Sequence, residues 1–479
     1  MRKIVAIIII GVLFLGLLFP APYADQIGNL DWYDIDWKYC KPIVIDHNQV
    51  GSGLTNFPIL VYIESDSDLA SKAQSDWDDI VFLSSDNKTK YNHEIERYSA
   101  GTLYAWVNIP NLKAESDTIL WMYYGNPACG NQQNVDGTWD SNYVLVQHLG
   151  ESNGEFIDSS KSGYNGEWVD ADHDSTRNAD GISAGCVDLS GDGDKIIIKS
   201  DDGGLSGYGS VTVNAWITQP SQSDINEDCI FDGWNNGNCF LLRYDSQNNQ
   251  IDWIINPGGT QIQSNNVNIE NNGWKNVVGY YDGTDFYTYI NGTKLPNTGK
   301  ASGNFPNFKT YRHIGAMNTS DFYTGKIDEL RISNIARSES WIKTSYNTMS
   351  SKDSFISIGN ERTYLGDTIP PEINITTPEE GYLFINIFNN QFKIAINPAV
   401  FTIIFGKIDI EVNATDNIGI DWVKFYIDNE ERGTIFEYPY TWLWNEPTMI
   451  FPFTIKVTAR DLAGNENSDE LKVWKVQLV

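Results

Sequence analysis

Residues 273–295, "GWKNVVGYYDGTDFYTYINGTKL", decide the fold class, because two aromatic-rich runs flank an Asp-Gly pair. Asp282 and Gly283 supply the positive φ angles that a tight turn needs, so the stretch predicts a self-contained β-hairpin. Similar short runs of Val, Ile, Tyr, Phe and Trp recur along the chain between Gly, Asn, Asp and Pro. This spacing is typical of β-sandwiches. We therefore predict an all-β protein, with a turn or two of helix at residues 338–349.

The chain is long enough for several domains, since its 479 residues exceed the usual size of one. Strand-like runs fill residues 33–135, residues 136–362 and residues 372–479. The stretch "TYLGDTIPP", residues 363–371, separates the last two, because paired prolines resist both helix and sheet interior. We predict three β-sandwich domains in series, with residues 363–371 as a linker.

Each of the three segments resembles a known family. In residues 33–135, "LYAWVNIPNL" and "ILWMYYGNP" resemble a domain of unknown function that commonly precedes jellyrolls in prokaryotic surface proteins. In residues 136–362, "VDLSGDGDKIII", "VTVNAWI" and "GKIDELRISNIARS" resemble the laminin-G-like, concanavalin A-like jellyroll. In residues 372–479, "KIDIEVNATDNIGIDWVKFYIDN" and "FTIKVTARDLAGN" resemble immunoglobulin-like modules of prokaryotic, often archaeal, surface proteins. These resemblances imply a small sandwich, a jellyroll and an immunoglobulin-like sandwich.

The N-terminus predicts export. "MRK" precedes an apolar run from Ile4 to Phe19, and small residues follow to Ala24, which is the layout of a signal peptide at residues 1–24. An uncleaved N-terminal anchor is the alternative, and it would be the chain's contact with a membrane. Removing Arg2 and Lys3 leaves 31 basic against 63 acidic residues, a net charge of 31 − 63 = −32. Such a field repels nucleic acid, so we expect an extracellular or cell-surface protein that does not bind it.

Five cysteines in an oxidising compartment predict disulfides. Cys229 and Cys239 flank "IFDGWNNGN", whose Asn-Gly turn would bring two strand ends together, so they form the first predicted pair. Cys40 and Cys129 flank the first segment and form the second predicted pair. Cys186 is left without a partner.

The acidic doublet Asp328-Glu329 lies in the strand-like run "KIDELRI", residues 326–332. Side chains alternate across a strand, and Leu330 with Ile332 is the apolar pair expected to face the interior. This places Asp328 on their face and Glu329 on the opposite face with Ile327 and Arg331, where an ion pair with the arginine is expected. The two carboxylates then point in opposite directions and cannot act as a glycosidase pair.

An inward-facing Asp328 needs partners, because an unpaired buried charge costs several kcal/mol. Two interpretations stay open: the carboxylate caps loop amides, or it binds a structural Ca²⁺ with acids of nearby loops. Laminin-G-like domains often hold such an ion, and the resemblance implies Asp158 and Asp328 as ligands. Asp192 and Asp194 in the loop "LSGDGDK" complete the predicted calcium set.

Aromatic rings beside amides suggest a sugar-binding surface, because rings stack on pyranose faces while amides bind the hydroxyls. Trp234 lies next to three asparagines at a predicted hairpin tip, and two further aromatics lie on neighbouring strands. The predicted ligand-binding residues are Trp234, Asn235, Asn236, Asn238, Tyr244 and Trp253.

These features favour a secreted or cell-surface binding protein that recognises a glycan or a surface protein through the jellyroll. A structural cell-envelope protein without a small ligand is one alternative. A carbohydrate hydrolase is the other, with Glu94 and Glu96 of "YNHEIERY" as its acids, because they are the same-face acid pair in a predicted strand. A solvated strand face explains that pair more simply, so we predict no enzymatic activity.

Overall fold

The computed structural model describes residues 32–479 apart from 171–172, 192, 201–204, 206, 219–226, 236–237, 265–266, 270–272, 297–299, 308–310, 365, 388–389, 397–401 and 478–479. Nearly all regular structure in this part is β, as the sequence predicted. Two compact units form, Asp36–Arg362 and Thr363–Val479, and residues 32–35 belong with the second. Among the described residues, no helix is long and apolar enough to cross a membrane.

The first unit opens with strands and short helices that precede the predicted jellyroll. They are β1 (Tyr39–Ile45), a 3-10 turn (His47–Gln49), β2 (Phe57–Ile63), α1 (Ser67–Lys72), β3 (Val81–Ser84), β4 (Lys90–Tyr91), β5 (His93–Ser99), β6 (Thr102–Ile109), β7 (Thr118–Tyr124) and α2 (Val135–Thr138).

The remaining elements of this unit form the jellyroll and its C-terminal extension. They are β8 (Tyr143–Gln147), β9 (Gly166–Val169), β10 (Thr176–Asp180), β11 (Gly185–Leu189), β12 (Lys195–Ile198), β13 (Val211–Thr218), β14 (Glu227–Asn235), β15 (Asn238–Asp245), β16 (Gln250–Asn256), β17 (Ile262–Gln263), β18 (Val267–Asn268), β19 (Trp274–Tyr281), β20 (Phe286–Ile290), β21 (Thr293–Lys294), β22 (Arg312–Ile314), β23 (Gly325–Ser333), α3 (Glu339–Ser350), α4 (Lys352–Phe355), β24 (Ile356–Ile358) and β25 (Arg362–Thr363).

Two eight-stranded antiparallel sheets make the jellyroll. One has the order β10-β11-β23-β13-β19-β20-β21, with β8 also paired to β23. The other has the order β17-β16-β15-β14-β22-β12-β9, with β18 paired to β16. The predicted hairpin is confirmed: β19 pairs with β20, and Gly283 has a φ of 100° in the turn. A continuous apolar core fills the space between the sheets.

The predicted first and second segments share one sheet and a core. β24 from the end of the second segment pairs with β1, in the sheet β24-β1-β7-β3-β4, while β2, β6 and β5 form a separate three-stranded sheet. The predicted helix exists as α3, where the Ser338 side chain accepts the Trp341 N–H and so caps the first turn. Its Thr348 hydroxyl accepts the amide N–H of Leu60 in β2 at 2.9 Å. The helix therefore attaches the jellyroll to the first segment.

The second unit is a smaller sandwich with its own core. Its strands are β26 (Glu372–Thr377), β27 (Tyr382–Ile387), β28 (Asn390–Ala395), β29 (Thr402–Phe405), β30 (Ile408–Thr415), β31 (Ile420–Ile427), β32 (Glu430–Ile435), β33 (Tyr440–Trp444), β34 (Thr448–Asp461) and β35 (Glu466–Gln477). A three-stranded sheet, β26-β30-β33, faces a seven-stranded sheet, β28-β27-β29-β35-β34-β31-β32.

The predicted Cys229–Cys239 disulfide is wrong, because the two residues lie at opposite ends of the β14–β15 hairpin. Cys229 is opposite Arg243, whereas Cys239 is opposite Trp234. Cys239 also packs in the jellyroll core, and Cys229 belongs to a separate apolar cluster. The turn does join two strands, but the two cysteines are not at paired positions.

The predicted Cys40–Cys129 disulfide is also absent. Cys40 is fully buried in β1, opposite Tyr123. Cys129 follows β7 in a loop, and its Sγ lies 3.4 Å from the carbonyl oxygen of Asn126. All five cysteines, including Cys186, are free thiols.

Candidate functional site

A β-bulge in β23 changes the direction of the acidic doublet. Two residues of β23 oppose one residue of β13 at this point, and Glu329 has a φ of 51°. As a result Ile327, Leu330 and Ile332 all pack in the jellyroll core. Asp328 and Glu329 both lie on the other side of the sheet, towards the first segment. The prediction that Asp328 shares the face of Leu330 and Ile332 is therefore wrong, as is the prediction that the two acids point apart.

A second bulge in β5 gathers charged side chains on one face of the first segment. Ile95 faces the sandwich core, and the register with β6 shifts between Ile95 and Arg97. Glu94, Glu96 and Arg97 consequently all face the jellyroll. The predicted same-face pair Glu94 and Glu96 is confirmed, and it lies in a buried contact rather than on a solvated strand face.

His148, directly after β8, joins acids from both segments. Its Nδ1 lies 2.8 Å from Glu329 Oε1 and 3.8 Å from Glu96 Oε2, and its Nε2 lies 3.4 Å from Glu94 Oε2. Arg331 Nε donates to Glu329 Oε2 at 2.9 Å, so the predicted Glu329–Arg331 ion pair is present. We call Glu94, Glu96, His148, Asp328, Glu329 and Arg331 the acid–histidine cluster.

Indole and hydroxyl donors hold Glu94 in place. Trp139 Nε1 donates to Glu94 Oε2 at 2.6 Å, and Ser159 Oγ donates to Glu94 Oε1 at 2.5 Å. The Trp139 ring also lies beside that of His148, tilted by 51°, with ring centroids 5.6 Å apart. Both oxygens of this buried carboxylate therefore have partners.

Glu96 and Asp328 each have one oxygen without a partner. Glu96 Oε2 accepts from Trp106 Nε1 at 3.0 Å and from Ser183 Oγ at 2.7 Å. Asp328 Oδ2 accepts the backbone N–H groups of Ile182 at 2.7 Å and Ser183 at 3.2 Å. Among the described residues, Glu96 Oε1 and Asp328 Oδ1 are buried with no hydrogen-bond partner. Such atoms are costly unless a proton or a cation reaches them.

The carboxyl groups of the acid–histidine cluster differ in pKa: those of Glu96 and Asp328 are raised, and those of Glu94 and Glu329 are lowered. Burial and the charge of Glu329 raise the pKa of Glu96 to about 7. Burial, Glu329 and Glu96 raise the pKa of Asp328 well above its ordinary value. Burial acts against ionisation of Glu94 and Glu329 as well, but neighbouring cations outweigh it and lower both pKa values. Burial disfavours the charged His148 ring, yet Glu329 and Glu94 raise its pKa well above its ordinary value.

Three members of the cluster, Glu94, Glu96 and His148, line an open cavity of about 430 Å³ between the first segment and the jellyroll. Glu151 Oε1 accepts the amide N–H of Ile157 at 2.8 Å, while Glu151 Oε2 is buried without a partner among the described residues. Arg97 donates to Ala184 O and to Asn178 Oδ1, each at 3.0 Å. The charged and amide side chains that line the cavity are Glu94, Glu96, Arg97, His148, Glu151, Asn153 and Asn178.

The predicted aromatic site is only partly at the surface. Tyr244 and Trp253 are buried in the jellyroll core, so neither offers a free ring face, and that part of the prediction is wrong. Trp234 is half-buried beside the cluster of Cys229, Leu241 and Ile254.

The structure describes the backbone of two of the three asparagines at the predicted hairpin tip. The backbones of Asn235 and Asn238 pair with each other at the end of the hairpin. Asn236 lies outside the described residues. Binding of a ligand by this tip stays a prediction.

The described members of the predicted calcium set, Asp158, Asp194 and Asp328, do not converge. Asp158 Oδ1 accepts the N–H groups of Val146 and Ser160, and its Oδ2 accepts that of Tyr164 at 2.8 Å, so this carboxylate caps loop amides. Asp328 lies on the face of its sheet that points away from the jellyroll core.

Asp194 belongs to a different acidic group. It is fully buried, and its Oδ2 accepts from Ser175 Oγ and Ser190 Oγ. One carboxylate oxygen each from Asp170, Asp174 and Asp194 come within 4.8 Å of one another. Asp192 lies outside the described residues.

Four members or neighbours of this site were not predicted together from the sequence: His148, Trp106, Trp139 and Arg331. Arg331 lies over the Trp106 ring, with Cζ 4.1 Å from the centroid, and 4.7 Å from that of Trp139. A histidine after an apolar strand carries no spacing signal of its own. The phrase "WDSNYVLVQHLGE" offered one usable hint, since an indole, a histidine and an acid flank the short apolar run at residues 143–146.

Three family models match the chain in the predicted order. Residues 76–169 match a domain of unknown function, DUF2341. Residues 190–343 match the model described as the concanavalin A-like lectin/glucanases superfamily. Residues 395–469 match a bacterial Ig domain. The predicted series of domain types is thus confirmed, and no curated protein matches the chain.

Solved structures show only weak likeness. The binding domain of Paraclostridial Mosquitocidal Protein 1 is 14% identical with a TM-score of 0.35, covering 43% of this chain and 52%, about half, of that one. The botulinum neurotoxin serotype D ligand binding domain in complex with N-acetylneuraminic acid is 14% identical with a TM-score of 0.35, covering 69% and 73%. A Trypanosoma rangeli sialidase is 13% identical with a TM-score of 0.34, covering 54% and 44%. Likeness at this level carries no argument about function.

Proposed function

We propose that this is an exported carbohydrate-binding protein whose binding site is the cavity between the first segment and the jellyroll. One observation carries the proposal: a cavity of about 430 Å³ opens beside carboxylate, guanidinium and amide groups. Small-molecule sites commonly enclose roughly 300–1,000 Å³ and use a few polar groups to orient the ligand. The match of residues 190–343 to a lectin/glucanase model supports the same function.

The charges of the cavity favour a neutral or amino sugar. Glu94, Glu96 and Glu151 line it, and Arg97 is already engaged by two oxygens. The full chain carries a net charge of −30. An acidic polysaccharide would be repelled by this field. Glu151 lines the cavity, and its buried Oε2 has no partner among the described residues, so rotation of this carboxyl group would present an acceptor to a sugar hydroxyl or ammonium group.

A glycan array tests the proposal, with the full chain and the variant Glu151→Gln. We expect the wild type to bind neutral or amino sugars. The variant should bind about tenfold or more weakly, because a hydrogen bond to a charged group contributes roughly 1.5–3 kcal/mol. Trp234→Ala is the matched control, since Trp234 lies in the predicted hairpin site. If Trp234→Ala loses binding and Glu151→Gln keeps it, the binding site lies at the hairpin instead. If the wild type binds no glycan on broad arrays, a structural envelope protein is favoured.

A carbohydrate hydrolase is the second candidate, because Glu94 and Glu96 line the same open cavity. Paired carboxyl groups beside one sugar are what glycoside hydrolysis requires. Release of reducing sugar from a neutral polysaccharide by the wild type, and its loss in Glu94→Gln, would favour this candidate.

Export and calcium binding stay part of the proposal. The sequence of residues 1–24 supports export, and the N-terminus of the native protein, read by mass spectrometry, tests it. Of the predicted calcium residues, Asp194 has acidic neighbours at ligand distance, whereas Asp158 is occupied by amides. Calcium bound by Asp194 should raise the melting temperature of the wild type and leave that of Asp194→Asn unchanged.

A further inference from the structure

Three potential metal ligands meet beside the cavity: Glu96 and His148 line it, and Glu329 is fully buried next to them. One atom each from Glu96, His148 and Glu329 lie within 4.8 Å of one another. His148 Nδ1 is 2.8 Å from Glu329 Oε1 and 3.8 Å from Glu96 Oε2. Two ligands that share an ion through bonds of about 2.1 Å lie roughly 3 to 3.5 Å apart. The observed separations bracket that range.

An unpartnered oxygen of Glu96 is a second, independent observation that favours a bound cation. The Glu96 side chain is 5% exposed, and its Oε1 has no hydrogen-bond partner among the described residues. Both donors that reach this carboxylate, Trp106 and Ser183, bind Oε2. Oε1 is therefore a buried oxygen left free for a cation.

The charge balance points the same way. Four carboxyl groups of the acid–histidine cluster, Glu94, Glu96, Asp328 and Glu329, are buried together. Arg331 and the protonated His148 ring pair with Glu329 and Glu94, so two of the four carboxylates have a cation before any metal binds. Buried charges in proteins are stable when they are paired or bind metals. A divalent cation that replaces the His148 ring proton would raise the positive charge beside the four carboxyl groups from two to three.

We propose that His148 Nδ1, Glu329 Oε1 and the carboxyl group of Glu96 bind a divalent first-row transition metal, Zn²⁺ or Mn²⁺, with the remaining coordination position open to the cavity. The mixed ligand set favours these ions, because imidazole suits zinc and carboxylate suits manganese as well as zinc. Three protein ligands and an open coordination position are typical of a metal centre that also binds water or a substrate.

Neighbouring groups already occupy the positions that would orient such ligands. Glu94 Oε2 lies 3.4 Å from His148 Nε2, on the side of the ring away from Nδ1. A carboxylate that accepts the second ring N–H of a metal-bound histidine fixes its tautomer. Arg331 binds Oε2 of Glu329, which leaves Oε1 for the metal. Glu94 is thus a positioning residue rather than a ligand.

Metal content per chain tests the inference without any glycan, so its failure is distinguishable from failure of glycan binding. The full-length protein is stripped with a chelator, dialysed against ZnCl₂, MnCl₂ or CaCl₂, and measured by inductively coupled plasma mass spectrometry. We expect about one Zn²⁺ or Mn²⁺ per wild-type chain and in Asp194→Asn, the control in the other acidic group. Glu96→Gln should lose the ion, and Glu94→Gln should bind it roughly 10–100-fold more weakly.

Circular dichroism of the stripped variants checks that each is folded, and visible absorption of the Co²⁺-loaded protein reports the ligand set directly. The cobalt bands of the wild type should be absent from Glu96→Gln. The inference is overturned if the wild type holds only background Zn²⁺ and Mn²⁺. It is also overturned if Glu96→Gln keeps its ion, or if Ca²⁺ alone binds and is lost in Asp194→Asn.

Discussion

Acid should weaken the part of the molecule that presents Glu94 and Glu96, because His93 is buried on the opposite face of the same strand. His93 is fully buried in β5, and its ring lies 5.2 Å from that of Phe82. Among the described residues, its Nε2 has no hydrogen-bond partner. Burial lowers the pKa of His93 from 6.5 to about 4.

The sign of the effect follows from proton uptake. Between pH 6.5 and about 4 the unfolded chain binds a proton at His93 and the folded chain does not, so the free energy of unfolding falls as pH falls. Above pH 6.5 this contribution is fully present. The pKa difference, at about 1.4 kcal/mol for each pH unit, gives roughly 3 kcal/mol once the pH reaches 4. About half of that loss should have occurred by pH 5.5.

Denaturant unfolding of the wild type and His93→Gln at pH 7, 5.5 and 4.5 measures this contribution. Glutamine does not titrate, so the pH-dependent loss should be smaller in the variant by roughly 2 to 3 kcal/mol at pH 4.5. The chain has two compact units, and the transition that moves in the variant identifies the unit of His93. Proton NMR of the five histidines provides a direct check. Titration of His93 near pH 6.5, or equal pH dependence in both proteins, would refute the reasoning.

Three further predictions concern other parts of the chain. Asp158→Asn should destabilise the protein by about 1–3 kcal/mol, because amide donors in its loop lose a charged acceptor, and thermal melting should give the same difference with and without a calcium chelator. Burial lowers the pKa of Lys475 to about 8, so wild-type stability should rise between pH 8 and 10.5, and this rise should be missing in Lys475→Met. Thiol titration in denaturant without a reductant should find five free cysteines. A count of three free cysteines would instead show that one disulfide has formed.

Local sequence signals were sufficient for the fold class and for several individual elements. The Asp282-Gly283 turn and its flanking aromatic runs carry their own hairpin geometry, which needs no distant partner. The helix near residue 340 was also predictable, although its full length, Glu339–Ser350, depends on packing against the first segment. What the sequence did not reveal is that β24 leaves the jellyroll and pairs with β1, because such pairing joins residues more than 300 positions apart.

Register errors account for the failed disulfide and for the buried aromatics. The hairpin turn between β14 and β15 was placed correctly, but a cross-strand pair must be equidistant from the turn. Cys239 lies beside the turn and Cys229 far from it. Trp253 lies in the core because the sheet turns that face of β16 inward, and a short apolar strand does not reveal which of its two faces will be buried.

The acidic site was missed for a related reason, since alternation along a strand holds only while the register is unbroken. Each bulge inserts one residue and reverses the direction of the side chains beyond it. In β23 this turns Asp328 and Glu329 towards the same side, and in β5 it adds Arg97 to the face of Glu94 and Glu96. Neighbouring acids can therefore converge wherever one of them occupies a bulge with a positive φ, as Glu329 does. Adjacency of two carboxylates in an extended run is consequently no argument against a shared site.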